Sequence, residues 1–91
     1  MAREQRVVTY KGNVQGVGFR YTTNRVAGGY DVTGYVRNQP DGTVEVLAEG
    51  DSGEIDAFLS ELERRMGYHI RDRQQRSAPP SDRYGQFGVK F

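Results

Sequence analysis

A glycine-rich turn that ends in an arginine is the segment of this sequence best suited to chemistry. Residues 12–20 read Gly-Asn-Val-Gln-Gly-Val-Gly-Phe-Arg, and they stand where a strand pattern gives way to a helical one. A turn of this kind exposes a row of backbone N–H groups at the positive end of the helix dipole. Arg20 falls in the first turn of that helix, where a cation opposes the dipole, so it is a candidate for holding an anion. The segment therefore predicts an anion site.

The same segment does not carry the motifs of nucleotide sites. No Gly-Lys-Ser/Thr closes it, as a Walker loop requires, and Tyr21 stands where the dinucleotide fingerprint needs its third glycine. Glycine-rich turns that bind nothing are more common than those that bind anions, so Arg20 is what favours the anion interpretation.

The segments around this turn alternate between strand and helix patterns. β-branched and aromatic residues predict a strand over residues 6–14. After the turn, the spacing predicts a helix that ends at Gly28-Gly29 and buries one face, made of Phe19, Thr23, Val26 and Ala27. Strands are predicted over 30–38 and 43–49, joined by a hairpin turn at Pro40-Asp41-Gly42.

A second helix is the most regular feature of the chain. Asp51 and Glu54 look like a capping pair at its start, and Gly67 ends it. Its apolar side chains recur at helical intervals, at Ile55, Phe58, Leu59, Leu62 and Met66. Beyond it we expect a weak, short strand over 68–75, a loop over 76–83 and a final strand over 84–91.

The order β-α-β-β-α-β, with one additional weak strand candidate, predicts an α+β fold built on a split β-α-β unit. We expect an antiparallel sheet of four to five strands, with both helices on one face and the other face partly open to water or to a partner. Arg71, Arg73 and Arg76 alternate with Asp72 and glutamines, which suits an edge strand that charge keeps from pairing.

Bulk properties narrow the classes of function. The chain has 91 residues, enough for one domain over 1–91, and a formal net charge of +1, which does not indicate a surface for nucleic acid. With no Cys and one His, thiolate and His-based metal sites are excluded. The charged N-terminus has no apolar stretch typical of a signal peptide or membrane helix. We expect a cytoplasmic monomer without a metal, cofactor or membrane partner.

Two separate segments resemble the signatures of one family. Residues 12–20, and residues 34–50, which read Gly-Tyr-Val-Arg-Asn-Gln-Pro-Asp-Gly-Thr-Val-Glu-Val-Leu-Ala-Glu-Gly, resemble the two signature segments of the acylphosphatases in residue type and in spacing. The resemblance implies a ferredoxin-like βαββαβ sandwich. It also implies the hydrolysis of acyl phosphates to carboxylate and inorganic phosphate.

The resemblance further implies roles for particular residues. The phosphate would lie against the Arg20 guanidinium and the backbone amides of the turn, contributed by Gln15, Gly16, Val17, Gly18, Phe19 and Arg20. Asn38 would hold the attacking water, a role that suits an amide because it can both accept from and donate to water. The leaving carboxylate needs no proton and the transition state is loose, so positioning and charge can suffice without a metal. The carboxylate of Phe91 is a further candidate to orient Arg20.

A binding module is the alternative, because sheets of this kind also serve as RNA-binding and small-ligand domains. Recognition of RNA needs aromatic side chains on adjacent central strands. Residues 16–21 resemble an RNA-recognition motif in sequence, but they open a helix and so provide no strand surface for RNA. Salt-dependent binding of single-stranded RNA would favour this alternative.

Overall fold

The computed structural model describes residues 2–91, which form a five-stranded sheet with two helices packed on one face. The strands are β1 (Arg3–Gly12), β2 (Thr33–Asn38), β3 (Val44–Asp51), β4 (Ile70–Ala78) and β5 (Phe87–Val89). The helices are α1 (Phe19–Ala27) and α2 (Ser52–Met66), and a single 3₁₀ turn, Gly67–His69, follows α2. The strands lie side by side in the order β4-β1-β3-β2-β5.

The predicted ferredoxin-like α+β fold is confirmed, with one pairing that differs from a purely antiparallel sheet. Three of the neighbouring pairs are antiparallel, but β5 runs parallel to β2, with Val36 opposite Val89. The sheet is therefore mixed. The parallel pair arises because the chain crosses from β4 at one edge to β5 at the other edge.

The fourth strand is longer than the sequence predicts. The expectation of a short strand followed by a loop from residue 76 is wrong, because β4 has nine residues and pairs with β1 from Gly12 to Gln5. Most of its side chains are polar and exposed, so it carries no apolar alternation that would reveal it. Its place at the edge of the sheet agrees with the charge pattern of its arginines.

The two helices bury the faces that their spacing predicts. The buried residues of α1 are Phe19, Thr23, Val26 and Ala27, and those of α2 are Ile55, Phe58, Leu59, Leu62 and Met66. They pack against the alternate residues of the sheet that face them, including Val8, Tyr10, Val36, Val44, Val46 and Ala48. This core fixes the direction in which α1 leaves the glycine turn.

The start of α2 differs from the predicted capping pair. Asp51 occupies the N-cap position, but its side chain accepts no hydrogen bond from the helix. Glu54 instead accepts a hydrogen bond from the backbone N–H of Asp31, at 2.8 Å. The acidic side chain of the first turn therefore ties α2 to the segment before β2.

The face of the sheet away from the helices is partly covered by the chain itself. We call residues 79–86, which join β4 to β5, the crossover segment. Glu49 on β3 is 1% exposed and accepts four hydrogen bonds, from Gln5 Nε2 and from Ser81 N, Ser81 Oγ and Asp82 N of the crossover segment, at 2.7 to 3.0 Å. We call this group the Glu49 cluster. On the same face Tyr35, an aromatic residue of β2, packs against Tyr84 with ring centroids 5.8 Å apart.

Neither helix in residues 2–91 is long and apolar enough to span a lipid bilayer.

Candidate active site

The glycine turn between β1 and α1 contains two glycines in the left-handed conformation and leads directly into the first turn of the helix. Gly16 and Gly18 both adopt positive φ angles, 76° and 79°, which L side chains rarely adopt. The first helical hydrogen bond runs from Thr22 N to Gly18 O, at 2.9 Å, so the three N–H groups before it have no partner within the helix. The first turn of α1 also carries no acidic side chain that would offset its positive end.

Packing beneath the turn fixes where α1 begins. The ring of Phe19, the first residue of α1, lies 5.3 Å from the ring of Tyr10 on β1. The hydroxyl of Tyr10 donates a hydrogen bond to Glu63 on α2, at 2.7 Å, and burial together with this carboxylate raises the pKa of Tyr10. The start of α1 is thus held against β1 and, through Tyr10, against α2.

The side chain of Gln15 connects the turn to the β2–β3 hairpin. Its Nε2 donates to the carbonyl oxygens of Gln39 and Thr43, at 2.8 and 2.9 Å. The hairpin itself closes through Gln39 N to Thr43 O and Gly42 N to Gln39 O, as Pro40-Asp41-Gly42 predicts. Because Asn38 precedes this hairpin turn, Gln15 fixes the position of Asn38 relative to the glycine turn.

Asn38 lies at the end of β2 with a polar atom that has no partner. Alternation along β2 places its side chain on the helix side of the sheet, like that of Val36, while Arg37 points to the other face and pairs with Glu45, at 3.2 Å. The Oδ1 atom of Asn38 is buried and accepts no hydrogen bond from the described part of the chain. A buried acceptor of this kind is expected to bind a water or a ligand.

Arg20 is a free cation beside this amide. Within residues 2–91 its guanidinium forms no ion pair and no hydrogen bond, and it lies 5.0 Å from the centre of the Phe91 ring. The expectation that the carboxylate of Phe91 orients Arg20 is not met, because the ring is the part of Phe91 that contacts it. Packing a guanidinium on a ring leaves its N–H groups available for an anion.

These groups line one cavity of about 310 Å³, which we call the Arg20 cavity. Its lining residues are Val14, Gly16, Gly18, Phe19, Arg20, Tyr21, Asn38, Val89 and Phe91. Four of the six residues predicted to bind phosphate, Gly16, Gly18, Phe19 and Arg20, therefore lie on it together with Asn38. Gln15 and Val17 do not line it: the amide of Gln15 is engaged with the hairpin, and Val17 packs against the core.

Val14, Tyr21 and Val89 line the cavity although the sequence interpretation did not place them in the site, and Phe91 contributes its ring where that interpretation expected its carboxylate. Tyr21 could have been found from its position next to Arg20 at the start of a helix. Val89 and Phe91 arrive through the parallel pairing of β5 with β2, in which Val89 lies opposite Val36. Asn38 follows Val36 by two residues and Phe91 follows Val89 by two residues, and both line the cavity. The sequence contains no local signal for that pairing.

One cavity of this ferredoxin-like fold is thus lined by a glycine turn, by an arginine that has no ion pair within residues 2–91 and by an amide oxygen that has no hydrogen-bond partner there. Comparison with known proteins identifies the family. The family model for acylphosphatase matches residues 6–89. The chain is 37% identical over 86 residues to the acylphosphatase of Oceanobacillus iheyensis, covering 92% of this chain and 94% of that one. It is 57% identical over 49 residues to that of Archaeoglobus fulgidus, covering 54% and 55% of the two chains.

Solved structures agree with these relatives. The crystal structure of acylphosphatase from Bacillus subtilis superimposes with a TM-score of 0.85 at 27% identity, covering 99% of this chain and 100% of that one. Full-length HypF matches with a TM-score of 0.83 at 27% identity, covering 99% of this chain and 12% of that one. The chain belongs to the acylphosphatase family. It is an acylphosphatase hydrolase, and members of this family hydrolyse acyl phosphates and release phosphate.

Proposed function

We propose that this chain hydrolyses acyl phosphates in the Arg20 cavity, with Arg20 and the N–H groups of the glycine turn holding the phosphate and Asn38 positioning the attacking water. The observation that carries the proposal is that two polar groups without an ion pair or hydrogen bond to any other part of residues 2–91 line one cavity: the guanidinium of Arg20 and the buried Oδ1 of Asn38. Buried polar atoms without partners are costly and are usually satisfied by a ligand or by water.

The guanidinium and the turn would provide positive charge where the phosphoryl oxygens develop negative charge. The planar N–H fork of Arg20 matches two phosphate oxygens, and the N–H groups at the start of α1 add the positive end of its dipole. Because these donors are already oriented by the positive φ angles of Gly16 and Gly18, little reorganisation is needed when substrate binds.

Asn38 would act by position, since an amide is too weak a base to remove a proton from water near neutral pH. A water held by its Oδ1 would attack phosphorus on the side opposite the acyl oxygen. The new bond joins the water oxygen to phosphorus, the bond between phosphorus and the acyl oxygen breaks, and the carboxylate leaves with the electron pair. The proton of the water passes to phosphate or to solvent. A carboxylate is a stable leaving group, so no acid is needed beside it.

The turnover of benzoyl phosphate by EDTA-treated protein tests this proposal. We expect Arg20→Ala to lower kcat/KM by about 10³-fold or more, and Asn38→Ala by about 10²-fold through lost positioning. Arg37→Ala is the matched control, because Arg37 adjoins Asn38 on the opposite face of β2, and its activity should be close to that of the parent. Spontaneous hydrolysis is subtracted, and circular dichroism checks folding. Loss of parental turnover after EDTA treatment, or full activity in Arg20→Ala, would refute this mechanism.

We also propose that the protein acts in the cytoplasm as a monomer. Light scattering at assay concentrations would report a larger mass if a second copy were required.

A further inference from the structure

The lining of the Arg20 cavity is part polar and part apolar. Gly16, Gly18, Arg20 and Asn38 supply polar groups, and the remaining lining residues are Val14, Phe19, Tyr21, Val89 and Phe91. The phosphate of a substrate would contact the polar groups, so the acyl group attached to it would lie against the apolar side chains. Sites of this composition orient a ligand with a few polar groups and bind the rest of it through apolar contact.

Two of the apolar lining side chains are exposed aromatic rings. Of the large apolar side chains that are exposed in residues 2–91, namely Tyr21 (65%), Tyr68 (104%) and Phe91 (98%), two line this cavity. Both rings also contact arginines: Phe91 lies against Arg20, and the hydroxyl of Tyr21 accepts a hydrogen bond from Arg25 Nη1, at 3.2 Å. Apolar side chains exposed together beside a cavity are typical of a binding surface.

Charge and size limit which acyl groups the cavity can bind. Arg20 is the only charged side chain among the described residues that line the cavity, and its guanidinium is assigned to the phosphate. An acyl group with its own carboxylate or second phosphate would find no cationic partner there. A cavity of about 150 Å³ holds benzene, so the 310 Å³ of the Arg20 cavity leave room for a ring or a short alkyl chain beside the phosphate.

Building on the function proposed above, we propose that Tyr21 and Phe91 determine specificity: the protein prefers phosphates of apolar carboxylic acids, with alkyl or aromatic acyl groups, over acyl phosphates whose acyl group is very small or carries a second negative charge. The rings would contact the acyl group in the bound substrate and in the transition state. Phe91 would in addition support Arg20, an effect that all substrates share.

A comparison of acetyl, butanoyl and succinyl phosphates separates these contributions. The alkyl acids have nearly equal acidity, so differences in kcat/KM report contact with the acyl group. Succinyl phosphate has the chain length of butanoyl phosphate with a carboxylate at its end. We expect kcat/KM to rise from acetyl to butanoyl phosphate by up to about fourfold for each methylene that becomes buried, and to fall for succinyl phosphate below the value for acetyl phosphate.

Substitutions of Tyr21 and Phe91 test whether these two rings cause the preference for the longer acyl group. In Tyr21→Ala/Phe91→Ala the butanoyl-to-acetyl ratio of kcat/KM should fall to about one, whereas Tyr21→Phe, which keeps the ring, should retain the parental ratio. Tyr68→Ala removes the exposed ring that lies outside the cavity and should also retain it.

The outcomes distinguish this proposal from the one on which it rests. Equal kcat/KM for acetyl and butanoyl phosphates, a preference for succinyl phosphate, or an unchanged ratio in the double variant would overturn the specificity proposal. If Arg20→Ala still abolished turnover in that case, the proposed mechanism would stand. A parent that turns over none of the three substrates would refute both.

Discussion

Glu49 and Asn38 differ in how many of their possible hydrogen bonds they form. They lie at opposite ends of the β2–β3 hairpin and on opposite faces of the sheet. Glu49 accepts four hydrogen bonds from Gln5, Ser81 and Asp82, and it is almost fully buried. Asn38 has a buried oxygen without a partner, and the nearby Arg20 forms no ion pair within residues 2–91. A saturated polar cluster holds the chain together, whereas an unsaturated one is available for a ligand.

The two regions are nevertheless connected through the chain. The Glu49 cluster holds the crossover segment against the sheet, and that segment leads into β5. β5 in turn brings Val89 and Phe91 to the Arg20 cavity. Substitutions in the Glu49 cluster should therefore act mainly on stability, and those in the Arg20 cavity mainly on turnover.

The largest effect is expected for Arg20→Lys. An ammonium keeps the positive charge but loses the planar fork, so kcat/KM should fall by about 10²-fold or more. The free energy of unfolding should change by less than about 0.5 kcal/mol, because within residues 2–91 Arg20 forms no ion pair and only its packing on the exposed Phe91 ring would change. Steady-state kinetics and urea unfolding measure the two quantities. Arg25→Lys, in the last turn of the same helix, is the control. A kcat/KM of Arg20→Lys equal to that of the parent would show that positive charge alone suffices for phosphate binding and turnover.

Glu49→Gln should have the opposite effect to Arg20→Lys: a large loss of stability and a small change in kcat/KM. The amide nitrogen cannot accept hydrogen bonds, so at least one donor of the Glu49 cluster would lose its partner and a buried charge-assisted network would be broken. We expect the free energy of unfolding to fall by about 2–3 kcal/mol, measured by urea unfolding at pH 7. At temperatures where the variant is folded, its kcat/KM should remain within about tenfold of the parent. A fall as large as that of Arg20→Lys would show that the two regions are not separable.

The pH dependence of stability tests the same cluster. Burial acts to raise the pKa of Glu49, but the hydrogen bonds from Ser81, Gln5 and Asp82 outweigh it and lower the pKa from 4.5 to about 2. As the pH falls, the unfolded chain therefore binds a proton at this position before the folded one does, and stability that is complete above pH 4.5 is lost toward pH 2.

Urea unfolding of the parent and of Glu49→Gln at pH 7, 5, 4 and 3 would measure this loss. Glu61, whose pKa is lowered to about 2 by Arg64 and Arg65, titrates in both proteins, so the difference between their curves isolates Glu49. We expect that difference to narrow as the pH falls below 4.5. Parallel curves would exclude Glu49 as the source of the acid sensitivity.

The elements that local patterns specify were predicted from the sequence. The buried faces of α1 and α2 follow from a period of 3.6 residues, which is set within each helix and needs no knowledge of its neighbours. The hairpin at Pro40-Asp41-Gly42 follows from turn chemistry for the same reason. Arg20 was identified from its position in the first turn of a helix and Asn38 from the resemblance to the acylphosphatases, and both line one cavity in the structure.

The elements that depend on distant contacts were not predicted. β4 is held by backbone pairing with β1, and its polar sequence carries no strand period. The role of Gln15 as a connection to the hairpin depends on two carbonyl oxygens more than twenty residues away, at 39 and 43. Val89 reaches the cavity because the crossover segment passes over the sheet and β5 pairs in parallel with β2. These contacts are tertiary, so no local pattern reports them.

Gly18→Ala is expected to have a smaller effect on stability than Glu49→Gln. Gly18 has φ 79° and ψ 18°, and no atom lies within 4 Å of an added Cβ, so the cost is that of left-handed backbone alone, about 1–2 kcal/mol. Gly67→Ala is the matched control: Gly67 is right-handed, with φ −55° and ψ −31°, and alanine there should stabilise by about 0.4–1 kcal/mol. Urea unfolding measures both. Equal effects at the two positions would contradict a conformational requirement at Gly18.

The smallest effect is expected for Arg3→Ala, which removes a second connection to the crossover segment. Arg3 Nη1 pairs with Asp82 Oδ1 at 2.7 Å, the same distance as the bond from Ser81 Oγ to Glu49. Both side chains of the pair are more than half exposed, at 52% and 65%, so water and salt replace the interaction when it is lost. We expect the urea midpoint of Arg3→Ala to match that of the parent at 0.15 M salt.

A destabilisation of Arg3→Ala comparable to that of Glu49→Gln would mean that the number of connections to the crossover segment matters more than their burial. If only Glu49→Gln is destabilised, the two contacts of the crossover segment contribute differently to stability although their lengths are equal. The contact with Glu49 is shielded from water and belongs to a complete hydrogen-bond network, whereas the Arg3–Asp82 pair is exposed. The same reasoning then applies to Asn38, whose buried and unpartnered Oδ1 gains more from a bound water than an exposed amide would.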